Sequence, residues 1–242
     1  MKAMILAAGR GERMRPLTDH TPKPLLPVGG KPLIVWHIEG LRDAGFDQIV
    51  INHAHLGGQI EAALGNGSAL GVELAYSPEP PGALETAGGI RHALPLLGDD
   101  PFLVVNGDIW CDWPFAAARK KIPLTPLGPQ DSPLAHLVLV PNPPHNPGGD
   151  FALTAGRIGN EATPAAPRFT FSGIGVYSPL LFAALPDHTP AKLAPLLRAA
   201  TAAGQVGGEL HGGEWIDVGT PERLRELDRR LCNASRSSLP KQ

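Results

Sequence analysis

A short apolar strand that breaks into a long loop rich in glycine and proline constrains the fold of this chain most strongly. Residues 2–7 hold the run Met4-Ile5-Leu6 and are predicted to form a buried strand, and the loop follows over residues 8–31. Small residues in this loop let backbone N–H groups approach an anion, while cationic side chains supply the counter-charge. The small residues are Ala7, Ala8, Gly9 and Gly11, and the cations are Arg13, Arg15 and Lys23. The sequence therefore predicts a nucleotide polyphosphate site directly after the first strand.

Strand patterns alternate with helical patterns along the rest of the chain. Apolar or alternating runs predict strands at 48–52, 72–76, 101–106, 134–140, 151–154, 169–176 and 214–221. Helical spacing predicts helices at 32–45, 59–64, 192–203 and 222–231, with another that begins at residue 85. Residues 113–133 are rich in proline and predict a helical turn followed by a surface loop.

This alternation is typical of α/β proteins with a parallel sheet. We expect a single Rossmann-like domain with a central mixed, mostly parallel sheet flanked by helices. The domain is assigned to residues 1–231, and residues 232–242 are assigned to a polar carboxyl-terminal tail.

Composition limits the kinds of partner that we expect. The 242 residues are 43% hydrophobic, which is enough to bury one full core. The 21 Lys and Arg residues nearly balance the 23 Asp and Glu residues, which argues against nucleic acid or a membrane surface as a partner. Cys111 and Cys232 form no C-x-x-C pair, and no run has the length of a signal peptide or a membrane span. These features favour a reduced, cytoplasmic protein without structural zinc.

One aspartate follows the apolar strand at 101–106 and is a candidate metal ligand. Asp108 comes at the carboxyl end of this strand, where open α/β sheets bind their ligands. The pair His53 and His55 is a weaker candidate, because no carboxylate lies near it in the sequence. We expect these histidines to line the nucleoside pocket or to be structural.

The common phosphate-binding motifs do not describe the opening loop. The Rossmann pattern G-x-G-x-x-G fails at Met14, and the P-loop pattern fails because Gly30-Lys31 is followed by Pro32. The longer string A-A-G-x-G-x-R-M-x-P-L-T, followed by P-K-P, resembles the signature of the sugar-1-phosphate nucleotidyltransferases. These enzymes join an NTP to a sugar phosphate and release pyrophosphate. Gly107-Asp108, the string from Trp215 to Pro221, and Glu85-Thr86-Ala87-Gly88 resemble the other landmarks of that family in order.

The resemblance implies the nucleotide-diphospho-sugar transferase fold and a reaction between two anions. Such a reaction needs a metal ion and fixed cations to neutralise the phosphates. By resemblance, Asp108 and Asp217 would hold Mg²⁺, Arg13 would face the β- and γ-phosphates, and Lys23 would bridge the reacting phosphates. The residues expected to bind the nucleotide are Ala7, Ala8, Gly9, Gly11, Asn52, Ala83, Glu85, Thr86, Gly88 and Asn106.

Later segments bear on the sugar. The E-K-P sugar motif that is common in the family is absent, which argues against a glucose-type substrate. Local strings such as Gly149-Asp150-Phe151 resemble family members that use UTP and N-acetyl-α-muramic acid 1-phosphate. The expected sugar-binding residues are Asn142, Gly149, Asp150, Ser172 and Lys192. A muramate sugar carries a lactyl carboxylate, for which the candidate cations are Lys192, His145 and Arg168.

Three other functions remain open from the sequence. Mannose-1-phosphate guanylyltransferases and glucose-1-phosphate thymidylyltransferases share the opening loop and both aspartates, so they are the alternatives within the class. A catalytically silent nucleotide-sensing domain of the same fold is the alternative outside enzymes, although such a sensor does not need the whole set Arg13, Lys23, Asp108 and Asp217. The chain is expected to act on UTP and a sugar 1-phosphate as a monomer or a homodimer.

Overall fold

The computed structural model describes residues 1–80, 82–122 and 133–237. Residues 123–132 of the proline-rich region predicted at 113–133 therefore lie outside the described residues, as do residues 238–242 of the predicted tail. The helical turn predicted in the described part of this region is a 3₁₀ helix at Phe115–Lys120. The strands are β1 (Ala3–Leu6), β2 (Pro27–Val28), β3 (Lys31–Pro32), β4 (Gln48–His53), β5 (Glu73–Pro78), β6 (Phe102–Asn106), β7 (Ile109–Cys111), β8 (Ala135–Val140), β9 (Phe151–Thr154), β10 (Arg157–Gly159), β11 (Arg168–Tyr177), β12 (Val206–Leu210) and β13 (Trp215–Asp217). The α-helices are α1 (Leu33–Asp43), α2 (Gly57–Leu64), α3 (Glu85–Leu97), α4 (Leu193–Ala202) and α5 (Pro221–Ser237).

A mixed nine-stranded sheet forms the centre of the protein, in the order β5-β4-β1-β6-β11-β8-β12-β10-β9. Its first four strands run parallel to one another, and β8 and β12 are also parallel. The other pairs in the sheet are antiparallel. The predicted mixed sheet is confirmed, and its parallel part is concentrated in the amino-terminal half that carries the opening loop.

Alternating side chains of the central strands enter two separate hydrophobic cores. In β6, Leu103 and Val105 join the core on one face, while Phe102 and Val104 join the core on the other. All four side chains are buried, because helices cover both faces of the parallel strands. This double burial explains why β6 reads as a continuous apolar run in the sequence.

A two-stranded sheet beside the main one carries the residues around both candidate metal ligands. β7 pairs antiparallel with β13, so that Asp217 lies opposite Ile109. The backbone N–H of Val218 also donates to the carbonyl of Asp108, over 2.8 Å. A third hydrophobic cluster, which includes Ile216, Val218 and Leu227, packs α5 under this small sheet. Asp108 and Asp217 are therefore held on adjacent segments of chain.

Several element boundaries differ from the sequence predictions. Helix α5 continues through Ser237, beyond the predicted end at residue 231, so it includes the first residues of the predicted polar tail. β7, β10 and β12 were not predicted, since their short or glycine-rich sequences carry little local strand signal. Among the described residues, no helix combines the length and the apolar character needed to cross a bilayer.

Candidate active site

A pocket of about 510 Å³ opens at the carboxyl ends of β1, β4 and β6. Backbone and side chains from the opening loop form one wall, and the start of α3 forms the other. The predicted site residues that line it are Ala7, Ala8, Gly9, Gly11, Arg13, Lys23, Asn52, Ala83, Glu85, Thr86, Asn106 and Asp108. This edge of a parallel sheet is where α/β proteins bind ligands, so most of the predicted nucleotide site is brought together in one cavity.

The opening loop is ordered by short 3₁₀ turns and by its own polar contacts. The hydroxyl of Thr18 is buried and donates to the carbonyl of Gly11, over 2.9 Å. Gly11 has a positive φ of 68°, and a side chain there would meet Thr18 and Lys23. Glycine thus lets the loop fold tightly over Lys23, whose side chain is only 8% exposed. Arg13 is exposed at the mouth of the pocket.

Each candidate metal ligand bonds to a cation in this structure. The ammonium Nζ of Lys23 lies 2.8 Å from Oδ2 of Asp108. On the neighbouring strand, Nη1 of Arg223 lies 2.8 Å from Oδ2 of Asp217, and Nε2 of His145 lies 3.2 Å from the same oxygen. Two adjacent carboxylates repel each other unless cations stand between them. The Lys23 and Arg223 contacts provide this compensation.

Gly219 is the point on which several of these charged groups converge. A Cβ atom at this position would lie 2.8 Å from Nη2 of Arg223, 2.8 Å from Oδ1 of Asp217 and 2.9 Å from Nη2 of Arg13. A side chain at this position would have to displace these groups, and Gly219 itself lines the pocket. The absence of a Cβ therefore lets Asp217, Arg13 and Arg223 approach one another beside the cavity, which Arg13 lines and the other two do not.

The donor set fits a divalent metal ion. Two carboxylates on adjacent chain segments are oxygen ligands of the kind that Mg²⁺ prefers. The cations that neutralise them here, Lys23 and Arg223, show that this corner of the pocket requires positive charge beside the carboxylates. A bound cation between Asp108 and Asp217 would meet the same electrostatic need.

Asn52 and Glu79 form a buried polar network under the pocket. Oδ1 of Asn52 accepts from the backbone N–H of Ala7 at 2.9 Å, and its Nδ2 donates to Glu79 at 2.6 Å. The other oxygen of Glu79 accepts from the N–H of Leu84 at 2.7 Å. This network ties the opening loop to the start of α3. Sequence reasoning missed Glu79, although it follows a parallel strand just as Asp108 does.

The segment before α3 has a strained backbone. Ala83 and Glu85 have positive φ angles of 57° and 60°, which non-glycine residues rarely adopt. Such strain persists only where the surroundings impose it, and here the Glu79 contact fixes the intervening Leu84. The two strained residues line the pocket.

Gly88 occupies a different place from the other predicted nucleotide residues. It is buried inside α3 and does not line the pocket described above. Its N–H donates to the carbonyl of Ala191 at 3.1 Å, and a Cβ would lie 2.5 Å from the carbonyl oxygen of Thr189. In this structure Gly88 permits close packing of α3 against the segment before α4.

Three of the predicted sugar residues cluster in the loop between β8 and β9. Asp150 accepts from the N–H of Phe171 at 2.8 Å and from Nδ2 of Asn146 at 3.2 Å. Oδ1 of Asn142 accepts from the Thr170 hydroxyl at 3.0 Å, and Gly149, with a φ of 61°, packs against the Asn142 side chain. These contacts order the loop, and its His145 reaches the carboxylate of Asp217.

Ser172, Lys192 and Arg168 lie outside this loop, although the carbonyl of Arg168 accepts from Nδ2 of Asn142 at 3.1 Å. Ser172 is fully buried, and its hydroxyl donates to the carbonyl of Val138 at 2.7 Å within a strand irregularity of β11. Lys192 is exposed at the start of α4, and Arg168 donates to the carbonyl of Asn160 at 2.5 Å. Of the three residues predicted to bind a lactyl carboxylate, only His145 contacts a candidate metal ligand, Asp217. Its ring also stacks on Trp215.

Comparison with known proteins identifies the family. The protein-family model described as "Nucleotidyl transferase" matches residues 2–123 of this chain. N-acetylmuramate alpha-1-phosphate uridylyltransferase of Neisseria meningitidis serogroup B is 58% identical over 226 residues, which cover 93% of this chain and 96% of that protein. The protein of the same name from Caulobacter vibrioides is 35% identical over 237 residues, which cover 96% of this chain and 97% of that protein.

Solved structures show the same fold at lower identity. A Bacillus anthracis protein, assigned as a glucose-1-phosphate thymidylyltransferase and solved with sucrose, superimposes with a TM-score of 0.77. It is 21% identical, and the match covers 100% of this chain and 98% of that chain. HddC from Yersinia pseudotuberculosis, solved with GMP-PN, has a TM-score of 0.74 at 19% identity, with coverage of 95% of this chain and 98% of that chain.

Proposed function

Because this chain belongs to the nucleotidyl transferase family, we propose that it transfers a uridylyl group from UTP to N-acetyl-α-muramic acid 1-phosphate. The products are UDP-N-acetylmuramic acid and pyrophosphate, as in peptidoglycan recycling. The observation that carries the proposal is the 58% identity to the Neisseria uridylyltransferase over nearly the full length of both chains. The cavity that joins Arg13, Lys23 and Asp108 supports an active enzyme rather than a silent sensor.

The residues of the pocket supply what the reaction needs. The sugar phosphate oxygen that attacks the α-phosphorus is already anionic, so no general base is required. The main obstacle is repulsion between the two phosphates, which fixed positive charge lowers most in the transition state. Lys23, held at the centre of the pocket, is proposed to contact the transferring phosphoryl group. Arg13, at the pocket mouth, is proposed to bind the pyrophosphate that leaves.

We propose Mg²⁺ as the metal, held by Asp108 and Asp217. The bound ion would neutralise phosphate charge and orient the reacting groups. Lys23 and Arg223 compensate these carboxylates in the structure, so both cations are expected to exchange a carboxylate partner for a phosphate when the site fills. Asn52 is proposed to position the loop through Ala7, with Ala83, Glu85 and Thr86 on the base side.

The sugar is proposed to approach from the loop between β8 and β9. His145 and Arg223 lie on that side of Asp217, and each contacts its Oδ2. The residues of the loop contacts, Asn142, Gly149 and Asp150, would shape this side of the site. The protein is proposed to act in the cytoplasm, where its two unpaired cysteines stay reduced, as a monomer or a homodimer.

Pyrophosphate release tests the whole assignment. The purified protein is assayed with UTP, dTTP, GTP and CTP, each combined with the 1-phosphates of N-acetylmuramate, N-acetylglucosamine, glucose and mannose. Each pair is measured with Mg²⁺ and with EDTA. We expect the highest kcat/KM for UTP with the muramate substrate, and loss of turnover in EDTA.

The alternatives predict different results in the same panel. A preference for GTP with mannose 1-phosphate, or for dTTP with glucose 1-phosphate, would replace the proposed substrates. No pyrophosphate from any pair would favour the sensing domain. Turnover that survives EDTA would contradict the role of Asp108 and Asp217 as metal ligands.

A further inference from the structure

Three side chains that the proposed reaction does not use come together at the end of the β7–β13 pair away from Asp108. They are the thiol of Cys111, the carboxylate of Asp112 and the imidazole of His211. Their ligand atoms all lie within 4.8 Å of one another. Cys111 ends β7 and Asp112 follows it, whereas His211 follows β12, so only the tertiary fold brings the three together.

Local contacts already orient these three groups. Nε2 of His211 lies 2.6 Å from Oδ1 of Asp112. The backbone N–H of Trp113 donates to Sγ of Cys111 at 3.4 Å, and hydrogen bonds to ligand atoms of this kind orient metal sites. The indole of Trp113 in turn donates to Glu209 at 2.8 Å, which fixes the chain next to Cys111 against β12.

Gly213 gives the cluster its close approach. A Cβ at Gly213 would lie 2.4 Å from Oδ1 of Asp112 and 2.7 Å from Nε2 of His211. A residue with a side chain would push these two groups apart. Cys111 and Asp112 also line a second pocket, of about 390 Å³, through which an ion can reach the thiol.

We propose that Cys111, Asp112 and His211 form a binding site for a transition-metal cation, with Zn²⁺ as the best fit. A thiolate, an imidazole and a carboxylate are the ligand types of zinc, and three protein ligands leave a fourth position for water. Mg²⁺ selects oxygen ligands, so the thiolate separates this site from the Asp108 and Asp217 pair by chemistry. The inference does not rest on the proposed reaction.

A cation bound at this site would also stabilise the folded chain around β7 and β13. Cys111 is paired with Trp215 in the β7–β13 register, and the N–H of Asp112 donates to the carbonyl of Glu214 at 3.1 Å. A cation that joins Cys111 to His211 would tie the end of β7 to the chain that enters β13. We therefore expect Zn²⁺ to raise the melting temperature, since a ligand that binds only the folded state stabilises it.

A second cluster in the described residues is the natural comparison. Asp187, His188 and His92 also bring their ligand atoms within 4.8 Å, but this set contains no sulfur. A spectroscopic probe that reports thiolate ligation therefore distinguishes the two clusters.

The test uses the full chain, stripped of metal with a chelator and titrated with Co²⁺ under reducing conditions. Cobalt occupies zinc sites, and thiolate ligation gives it a sulfur-to-metal charge-transfer band. We expect this band to saturate at one equivalent and to disappear when Zn²⁺ is added. Cys111→Ser should abolish the band and lower Zn²⁺ affinity by at least about tenfold, whereas Cys232→Ser and His188→Ala should leave both unchanged.

Three results would overturn the proposal. They are no charge-transfer band at one equivalent, a band that survives in Cys111→Ser, and equal Zn²⁺ affinity in all variants, which would indicate adventitious surface binding. Circular dichroism checks that each variant is folded. If Cys111→Ser does not fold, His211→Gln carries the test, because it should weaken Zn²⁺ binding while it retains the thiolate.

Discussion

Lys23 is the residue on which the proposed chemistry of the pocket depends most directly. Its side chain is nearly buried, and its ammonium bonds to Asp108 at 2.8 Å. Together with Arg13 and Arg223, it gives this corner three cations against the two carboxylates of Asp108 and Asp217. These three cations suit a polyphosphate, and we expect Lys23 and Arg223 to exchange their carboxylate partners for its phosphates.

We predict that Lys23→Ala folds normally and loses most of its turnover. One fixed cation in a preorganised site contributes about 3 kcal/mol to the transition state, so kcat should fall on the order of 100-fold. Stability should change little, because Asp108 is 43% exposed and water can solvate it when Lys23 is removed. Steady-state pyrophosphate release and thermal unfolding measure the two effects.

Lys120→Ala is the matched control, since Lys120 is exposed and lies outside the pocket. It should retain the parent kcat and KM. If Lys23→Ala kept a near-normal kcat, Lys23 would have no role in phosphoryl transfer.

Among the elements, the short pair β7 and β13 does the most to create the site. Neither strand is longer than three residues, yet their pairing sets Asp108 beside Asp217. The turn after β13 continues through Gly219 into α5, which supplies Arg223. The sequence motif indicated which residues matter here, but three-residue strands have no periodicity from which their pairing could be predicted.

Gly219→Ala tests this arrangement. The added methyl group would meet Arg13, Arg223 and Asp217, all at less than 3 Å. These contacts are the ends of side chains that can move, so we expect a melting temperature within a few degrees of the parent protein. Moving them disrupts the charge arrangement, so kcat should fall at least about tenfold.

Gly212→Ala is the control for this substitution, since a Cβ at Gly212 meets no atom within 4 Å. It should preserve activity. A Gly219→Ala protein with full activity would show that the convergence of these three side chains is not needed for catalysis.

At the scale of the whole molecule, the burial of His37 in α1 makes the free energy of unfolding depend on pH. His37 in α1 is almost fully buried, and its Nε2 has no hydrogen-bond partner in the described residues. Burial lowers the pKa of His37 to about 4, although the carbonyl of Ile109 and the charge of Asp108 oppose the shift. The folded protein therefore keeps this imidazole neutral at pH values where an unfolded chain protonates it.

The sign of the pH dependence follows from this shift. Between the unfolded pKa of about 6.5 and the folded pKa of about 4, the unfolded state binds more protons, so acid favours unfolding. We expect His37 to account for a loss on the order of 2 kcal/mol in the free energy of unfolding between pH 7 and pH 4.5. Urea denaturation at the two pH values measures this loss.

His37→Gln should remove that part of the pH dependence, because glutamine does not titrate. His20→Gln is the control, since His20 is exposed and its replacement should leave the pH dependence unchanged. If the parent protein and His37→Gln lost the same free energy on acidification, His37 would not be the responsible group.

The sequence by itself determined the class of fold and most of the residues that line the pocket proposed to bind the nucleotide. Continuous apolar runs predicted the central parallel strands, because a strand that is buried on both faces is apolar along its length. The opening loop was predicted because phosphate chemistry restricts which residue types can stand there. Asp108 was predicted from its place after a buried strand, and Asp217 from the resemblance to the family. Twelve of the predicted residues line one pocket, among them Arg13, Lys23 and Asp108.

Only the tertiary structure decided which distant side chains meet. It brought Arg223 and His145 to Asp217, placed Glu79 under the loop, buried Ser172 and Gly88, and joined His211 to Cys111 and Asp112. The physical reason is that local patterns report the burial and backbone preference of each segment. Contacts between segments depend on how the strands pair and how the helices pack, and that information is not present in any single stretch of the chain.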